Sequence, residues 1–193
     1  MTCSKDTNLC FQAVTAGCGT GNYCVGAFPS AACVTPQALG YSVDLTAASS
    51  KTAAFLSGQP ISITATSTLR SFGLITRQAG TNVSFGLYTD VGGKPATLLA
   101  SAQYGALVVV GRAEFPAVAA AGGSLTLAPG TYWIMVMYDN TTSIAAAPMG
   151  GTSTTRNVIS EGWGDLPASL PALNVTTQTM VIATNYYALV TTP

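Results

Sequence analysis

The chain has 193 residues, and only 7% of them are charged, with seven basic and seven acidic side chains that cancel. This length suits one domain with a small appendage. The scattered, balanced charges exclude an electrostatic footprint for nucleic acid or anionic lipid, and the longest apolar runs are far shorter than the ~20 residues of a membrane-spanning helix. We therefore expect no nucleic-acid partner and no membrane insertion.

All five cysteines lie in the first 33 residues, at Cys3, Cys10, Cys18, Cys24 and Cys33. Dense cysteines in a stretch too short for its own core are typical of secreted, disulfide-stapled modules. A zinc site is the alternative, but zinc ligands usually have closer C-x2-C spacing, often with histidine. Five is an odd number, so one thiol stays free, pairs with another chain or has a partner outside these residues. The pairing cannot be derived from the sequence.

Two domains are predicted, a cysteine-rich segment at residues 1–35 and a β-sandwich at residues 36–193. The first residues, MTCSKDTN, do not have the basic and apolar regions of a signal peptide. The cysteine usage nevertheless indicates an extracellular or cell-surface location. Residues 34–58 are rich in Ser, Ala and Thr, and their apolar spacing is irregular.

From residue 59 onward, short runs of β-branched and aromatic residues alternate with turn clusters such as VGGKP and APG. The predicted strands are residues 61–67, 68–76, 81–90, 96–103, 106–112, 124–128, 130–139 and 178–190. No segment has a helical period over three turns. Eight short strands at this spacing predict an all-β, antiparallel β-sandwich.

Two motifs in these strands resemble the jelly-roll-type β-sandwich modules of large secreted proteins of Gram-negative bacteria, myxobacteria in particular. In those modules LY-x-D-x-x-G-x-P-x-x-L forms a hairpin and L-x-x-G-x-Y-W starts a late central strand. The matching residues here are Leu87, Tyr88, Asp90, Gly93, Pro95 and Leu98, then Leu127, Gly130, Tyr132 and Trp133. The cysteine spacing is loosely similar to EGF-like units, which carry six cysteines. The resemblance implies a jelly-roll fold beside carbohydrate-binding or adhesive domains.

The sequence offers little catalytic chemistry. It contains no histidine, which excludes Ser-His-Asp triads, Cys-His pairs and most catalytic zinc sites. Glu161 and Asp165 flank Trp163 and have the residue types of a glycosidase pair. Their glycine-containing surroundings favour an exposed loop instead. We therefore predict a protein that is not an enzyme, without catalytic residues or cofactors.

Several isolated charged residues are expected to have structural roles. Asp90 begins a turn, where its carboxylate is predicted to accept backbone hydrogen bonds. Calcium ligation, with Asp139 from another strand end, is the alternative, although two carboxylates make a weak site and we assign no metal. Arg112 and Glu114 share a strand face and are predicted to form a weak ion pair.

The predicted strand 130–139 raises a question, because both of its faces are apolar. One face carries Tyr132, Ile134, Val136 and Tyr138, and the other carries Trp133, Met135 and Met137. The first face is expected to pack in the sandwich core. For the second face we consider three covers: residues 142–175 or 34–58 of the same chain, a flat ligand such as a sugar ring, or a neighbouring subunit.

These observations favour a non-enzymatic extracellular protein that works by surface contact, through adhesion or self-assembly into a matrix or filament. Low charge, two-faced strands and an odd cysteine support partners that are other copies of the chain or extracellular polymers. The alternative function is carbohydrate binding through exposed aromatics. The candidate contact residues are Trp133, Trp163, Tyr88, Tyr138, Tyr186 and Tyr187, of which Trp163 is expected to be the most accessible.

Overall fold

The computed structural model describes residues 23–25, 32–53, 55–159, 163–170 and 175–192, with side chains except at 24–25, 32–33, 147–159 and 175–184. These residues form two antiparallel sheets of seven and five strands and no helix. The prediction of an all-β, antiparallel sandwich is therefore confirmed. In this part of the chain no helix is long and apolar enough to cross a membrane.

The described residues form fifteen strands. In chain order they are β1 (Tyr23–Val25), β2 (Ala32–Val34), β3 (Gln37–Gly40), β4 (Ala47–Lys51), β5 (Phe55–Ile63), β6 (Ser67–Thr76), β7 (Thr81–Asp90), β8 (Pro95–Leu107), β9 (Gly111–Pro116), β10 (Val118–Ala119), β11 (Thr126–Leu127), β12 (Gly130–Tyr138), β13 (Thr142–Ile159), β14 (Val175–Thr184) and β15 (Tyr186–Thr191).

The larger sheet has the order β10-β8-β7-β12-β5-β13-β14. In the smaller sheet β9 and β11 pair with one edge of β6, and β15 lies between β6 and β3. The long strand β13 connects the two sheets, because it also pairs with β6 through Ile144 and Thr76. In addition, β13 pairs with β4. Strands β1 and β2 form a separate antiparallel pair.

The main hydrophobic core lies between the two sheets. The larger sheet contributes alternate residues of β7 and β12, including Phe85 and Ile134, and the smaller sheet contributes Phe72 and Tyr186. The rings of Phe72 and Phe85 stack across this interface with centroids 5.6 Å apart. The alternation read from the sequence therefore assigns the inward face of β12 correctly.

Three predicted strands agree closely with the structure, and three others need correction. Residues 68–76, 81–90 and 130–139 correspond to β6, β7 and β12 within one residue at each end. The predicted strand 61–67 spans the end of β5, a turn and the start of β6, and 178–190 contains two strands, β14 and β15, divided by Asn185.

The largest correction concerns ALVVVGR, residues 106–112, which is not a continuous strand. Strand β8 ends at Leu107, the residue opposite Thr81 at the start of β7. Beyond that point β8 has no pairing partner on β7, so Val108, Val109 and Val110 form an exposed loop before β9. Conversely, residues 142–159, which the sequence did not indicate as a strand, form β13.

Both carboxylates at strand ends accept backbone hydrogen bonds, as predicted for Asp90. Asp90 Oδ2 accepts a hydrogen bond from the Gly93 backbone N–H at 3.2 Å. Asp139 Oδ1 accepts one from the Asn82 backbone N–H at 2.8 Å, at the opposite end of β7. Because β7 has ten residues, these carboxylates lie roughly 25–30 Å apart. They therefore do not share a calcium site.

Candidate functional site

Five of the six aromatic contact candidates lie in the interior, with at most 2% of each side chain exposed. They are Tyr88, Trp133, Tyr138, Tyr186 and Tyr187. An aromatic platform for an outside ligand needs accessible rings. The expectation that these five side chains offer such a platform is therefore corrected, and of the six only Trp163 is partly exposed.

The second face of β12 is covered by residues 163–170 of the same chain. Trp133, Met135 and Met137 pack with Leu166 and Leu170 of this segment in a second hydrophobic cluster. Backbone hydrogen bonds fix the segment on the sheet: Leu98 N–H donates to the Ala168 carbonyl at 2.9 Å, and Leu170 N–H donates to the Ala96 carbonyl at 2.8 Å. We considered a segment of the same chain, a flat ligand and a neighbouring subunit as covers for this face, and the structure shows that a segment of the same chain covers it.

The polar atoms of the buried aromatic side chains have partners inside the protein. The indole N–H of Trp133 donates to Asp90 Oδ1 at 2.7 Å, and the hydroxyls of Tyr138 and Tyr186 are 3.1 Å apart. The Tyr88 hydroxyl donates to the Pro167 carbonyl at 3.0 Å. These hydrogen bonds satisfy groups that would otherwise be costly to bury.

Tyr187 of β15 forms a small polar network with Arg112 and Glu114 of β9, on the other side of β6. Arg112 Nη1 donates to the Tyr187 hydroxyl at 2.9 Å, and this hydroxyl donates to Glu114 Oε1 at 2.8 Å. Arg112 Nη1 also lies 3.3 Å from Glu114 Oε1. The predicted Arg112–Glu114 ion pair is therefore confirmed. Burial, reinforced by Glu114, raises the pKa of Tyr187 well above its usual range.

An exposed cluster of Tyr104, Trp163 and Asp165, called the aromatic corner below, is the best candidate for a contact site. The Tyr104 side chain is 49% exposed. Its ring meets the Trp163 ring edge to face, with centroids 5.6 Å apart and an angle of 79° between the planes. The Tyr104 hydroxyl donates to Asp165 Oδ1 at 2.6 Å. Two nearly perpendicular aromatic rings therefore lie beside an exposed carboxylate.

A β-bulge in β8 places Tyr104 in this corner. Ala102 lies opposite Phe85 and Gly105 lies opposite Val83, so two residues of β8 face one residue of β7. Within the bulge Tyr104 has φ = 58°, a left-handed conformation that is costly for a bulky side chain. Bulges of this kind redirect a side chain out of the regular alternation.

Electrostatics keep the Tyr104 hydroxyl protonated. The hydrogen bond to Asp165 is the main cause that raises the pKa of Tyr104, and the negative charge of Asp165 acts in the same direction. With an ordinary pKa of 10.0, the hydroxyl is a donor at neutral pH even without this shift. An ionised carboxylate accepts several hydrogen bonds, so Asp165 is a suitable acceptor for ligand hydroxyls as well. Glu161, its partner in the glycosidase hypothesis, lies outside the described residues.

A cleft of about 330 Å³ opens between β3 and β5 and is lined by residues 38–41 and 59–62. Its buried amide, on Gln59, donates to the Tyr186 carbonyl at 2.9 Å and thereby ties the two sheets together. The lining offers one aromatic ring, Tyr41. This cleft therefore has fewer aromatic rings for contact with a ligand than the aromatic corner.

Four exposed valines lie together at one end of the sandwich. Val43, Val108, Val109 and Val110, called the valine end, are 60–75% exposed. The two loops that carry them are connected because Arg112 Nη2 donates to the Ser42 carbonyl at 2.7 Å. Exposed apolar patches of this kind are typical of contact surfaces.

Among the described residues, no group of three or more His, Cys, Asp or Glu side chains could hold a metal ion. Comparison of the chain with protein-family models, curated proteins and solved structures finds no match. The resemblance to myxobacterial modules therefore stays a prediction. Cys3, Cys10 and Cys18 lie outside the described residues, and Cys24 and Cys33 are described by their backbone alone.

Proposed function

We propose that this chain is a non-enzymatic, extracellular adhesion module that binds glycans through the aromatic corner. In this proposal a jelly-roll sandwich carries the contact surface, and a disulfide-stapled segment precedes it. The observation that supports glycan binding best is the meeting of two partly exposed rings, Tyr104 and Trp163, beside Asp165. The other five candidates are buried, so the corner contains the one candidate of the six, Trp163, that is partly exposed.

The chemistry of the corner fits a sugar ring. Sugar rings have apolar faces that stack on aromatic side chains, and their hydroxyls need nearby polar groups that fix orientation. In the corner one ring offers its face while the other stands nearly perpendicular to it. Asp165 and the neighbouring Gln103 are exposed polar side chains that supply carboxylate and amide groups.

The corner is also preorganised, which reduces the entropic cost of binding. The β8 bulge fixes the backbone of Tyr104, and the Ser84 hydroxyl oxygen accepts its N–H at 3.1 Å. On the other side, Gln103 Oε1 accepts the Leu166 N–H at 3.1 Å, which holds the segment that carries Trp163. Backbone strain that is maintained by such contacts is a feature of functional sites.

The test compares glycan binding by the natural chain and by Trp163→Ala. We expect the natural chain to bind at least one glycan in a panel of cellulose, chitin, mannan and a glycan array. We expect Trp163→Ala to bind at least about tenfold more weakly, since one ring contact contributes about 1.4 kcal/mol. Tyr104→Phe keeps the ring and removes the hydrogen bond to Asp165, so it should lose less glycan affinity than Trp163→Ala.

Phe55→Ala is the matched control, because Phe55 is an exposed aromatic elsewhere on the sandwich. Its glycan binding should equal that of the natural chain. Thermal unfolding of each variant verifies that the fold is retained. Absence of binding to every glycan in the panel, or equal loss in Phe55→Ala and Trp163→Ala, would refute the proposal.

Self-association through the valine end is the second candidate function. It is supported by the exposure of Val43 and of residues 108–110 at one end of the sandwich. The nearby cations are already paired with carboxylates, Arg77 with Asp44 and Arg112 with Glu114. Apolar association between copies is therefore favoured there over electrostatic recognition.

For this candidate we expect the mean mass in sedimentation experiments to rise with protein concentration. Val109→Asp should weaken the association at least about tenfold, because a charge would be desolvated in the contact. Val91→Asp is the control, since Val91 is 66% exposed in the turn after β7, at the other end of the sandwich. A natural chain that stays monomeric at every concentration removes this candidate.

A further inference from the structure

Cys24 and Cys33 occupy directly opposite positions in the antiparallel pair of β1 and β2. Tyr23 and Val34 are the neighbouring pair in the same register. Opposite residues of an antiparallel pair have Cα atoms about 4.5 or 5.5 Å apart, depending on whether they exchange hydrogen bonds. Both separations fall within the range that a disulfide spans. The backbone is therefore already arranged for a bond between these two residues.

We infer that Cys24 and Cys33 form a disulfide. A two-stranded pair of this length is marginal in water by itself, because three residues on each strand bury little apolar surface. A covalent link between the middle residues fixes the register. The Tyr23 hydroxyl lies 3.4 Å from Ser71 Oγ of β6, so the linked pair is also in contact with the sandwich.

The bond has a consequence for the other cysteines. With Cys24 and Cys33 joined, Cys3, Cys10 and Cys18 can form at most one further bridge within the chain. The odd thiol of this five-cysteine protein is therefore one of those three. A covalent link to another chain would start from residues 3–18 and leave the β1–β2 pair unchanged.

The chemistry requires an oxidant, and we assign this role to a small-molecule or protein disulfide. The thiolate of one cysteine attacks a sulfur of oxidised glutathione, for example, and releases one glutathione as a mixed disulfide forms. The second thiolate then attacks the protein sulfur of that mixed disulfide and releases the second glutathione. The two protein thiols lose two protons and two electrons, and the oxidant is reduced to two thiols.

Peptide mapping of the full chain tests the assignment. The protein is equilibrated with reduced and oxidised glutathione, alkylated with iodoacetamide under denaturing conditions without further reduction, and digested with chymotrypsin. Cleavage after Tyr23 and Tyr41 gives a peptide, residues 24–41, that contains Cys24 and Cys33 and no other cysteine. We expect this peptide to be unalkylated and two hydrogens lighter than its linear form, and to accept two alkyl groups after reduction.

Two variants make the result specific. Cys18→Ser should leave the internal bridge of the 24–41 peptide unchanged. Cys24→Ser should make Cys33 available for alkylation. The inference is overturned if the 24–41 peptide is linked to a peptide that contains Cys3, Cys10 or Cys18, or if it is alkylated at both cysteines after the glutathione treatment. Both outcomes are independent of glycan binding and of self-association.

Discussion

Trp133→Ala is expected to lower the free energy of unfolding by about 3–5 kcal/mol, the usual cost of removing a large buried aromatic side chain. Trp133 is 2% exposed and packs with Met135 and Leu166 under the 163–170 segment. Its removal also leaves Asp90 Oδ1 without the indole donor. Equilibrium unfolding in urea, followed by circular dichroism, measures the change.

The comparison with the other tryptophan separates structural from binding roles. Trp163→Ala should cost only about 1–2 kcal/mol, because a partly exposed ring loses less packing, yet it should abolish most glycan binding. Trp133→Phe keeps most of the buried volume, so its free energy of unfolding should lie between those of Trp133→Ala and the natural chain. If Trp133→Ala proves as stable as the natural chain and loses glycan binding instead, the assignment of Trp133 to the interior is wrong.

Alkaline pH is expected to unfold the protein steeply once it exceeds the ordinary tyrosine pKa of 10.0. Burial is the main cause that raises the pKa of Tyr88, Tyr138, Tyr186 and Tyr187 in the folded chain. The stability due to each raised pKa is complete below pH 10 and is lost as the pH rises further. Each group changes the free energy of unfolding by about 1.4 kcal/mol per pH unit. The four groups together therefore change it by roughly 5–6 kcal/mol per pH unit.

Lys51 has the opposite effect at lower pH. Burial lowers its pKa from 10.5 to about 8, so between these values the unfolded chain binds more protons and stability increases with pH. The combined expectation is a stability maximum at about pH 9–10. Urea unfolding across this range, with tyrosinate absorbance and circular dichroism recorded together, measures it.

Tyr138→Phe is the control for the alkaline transition, because it removes one titrating group and retains the ring. The slope of stability against pH above 10 should decrease by about 1.4 kcal/mol per pH unit. Ionisation of all tyrosines near pH 10 in a chain that keeps its circular dichroism spectrum would contradict the burial of these hydroxyls.

Strand β12, which the sequence identifies well, has both side-chain faces buried, each in a different hydrophobic cluster. In β12, Ile134 and Val136 face the sandwich core while Trp133 and Met135 face the second cluster. Such strands carry large apolar residues throughout, which gives strong β propensity. Strand β13 does not have this signal, because its sequence is rich in Ala, Gly and Thr. Its pairing with β4, β5 and β14 depends on tertiary context.

Sequence reasoning identified only one of the two aromatic residues of the candidate site. Trp163 is the aromatic that we expected to be most accessible, and it is partly exposed in the structure. Tyr104 was missed, because its outward position depends on a bulge that arises from the register between β7 and β8. The weak signal for it was the loss of alternation after Gln103, where our predicted strand ended. Strand register is a long-range property, and a local pattern does not contain it.

The position of β15 determines the order in which the smaller sheet is completed. Residues 186–191 lie between β6 and β3, two strands that are synthesised more than 100 residues earlier on the ribosome. Until they arrive, the facing edges of β3 and β6 lack their hydrogen-bonding partner. Folding that depends on such distant pairing is slow, so the smaller sheet is expected to be completed only after residues 186–191 have been synthesised.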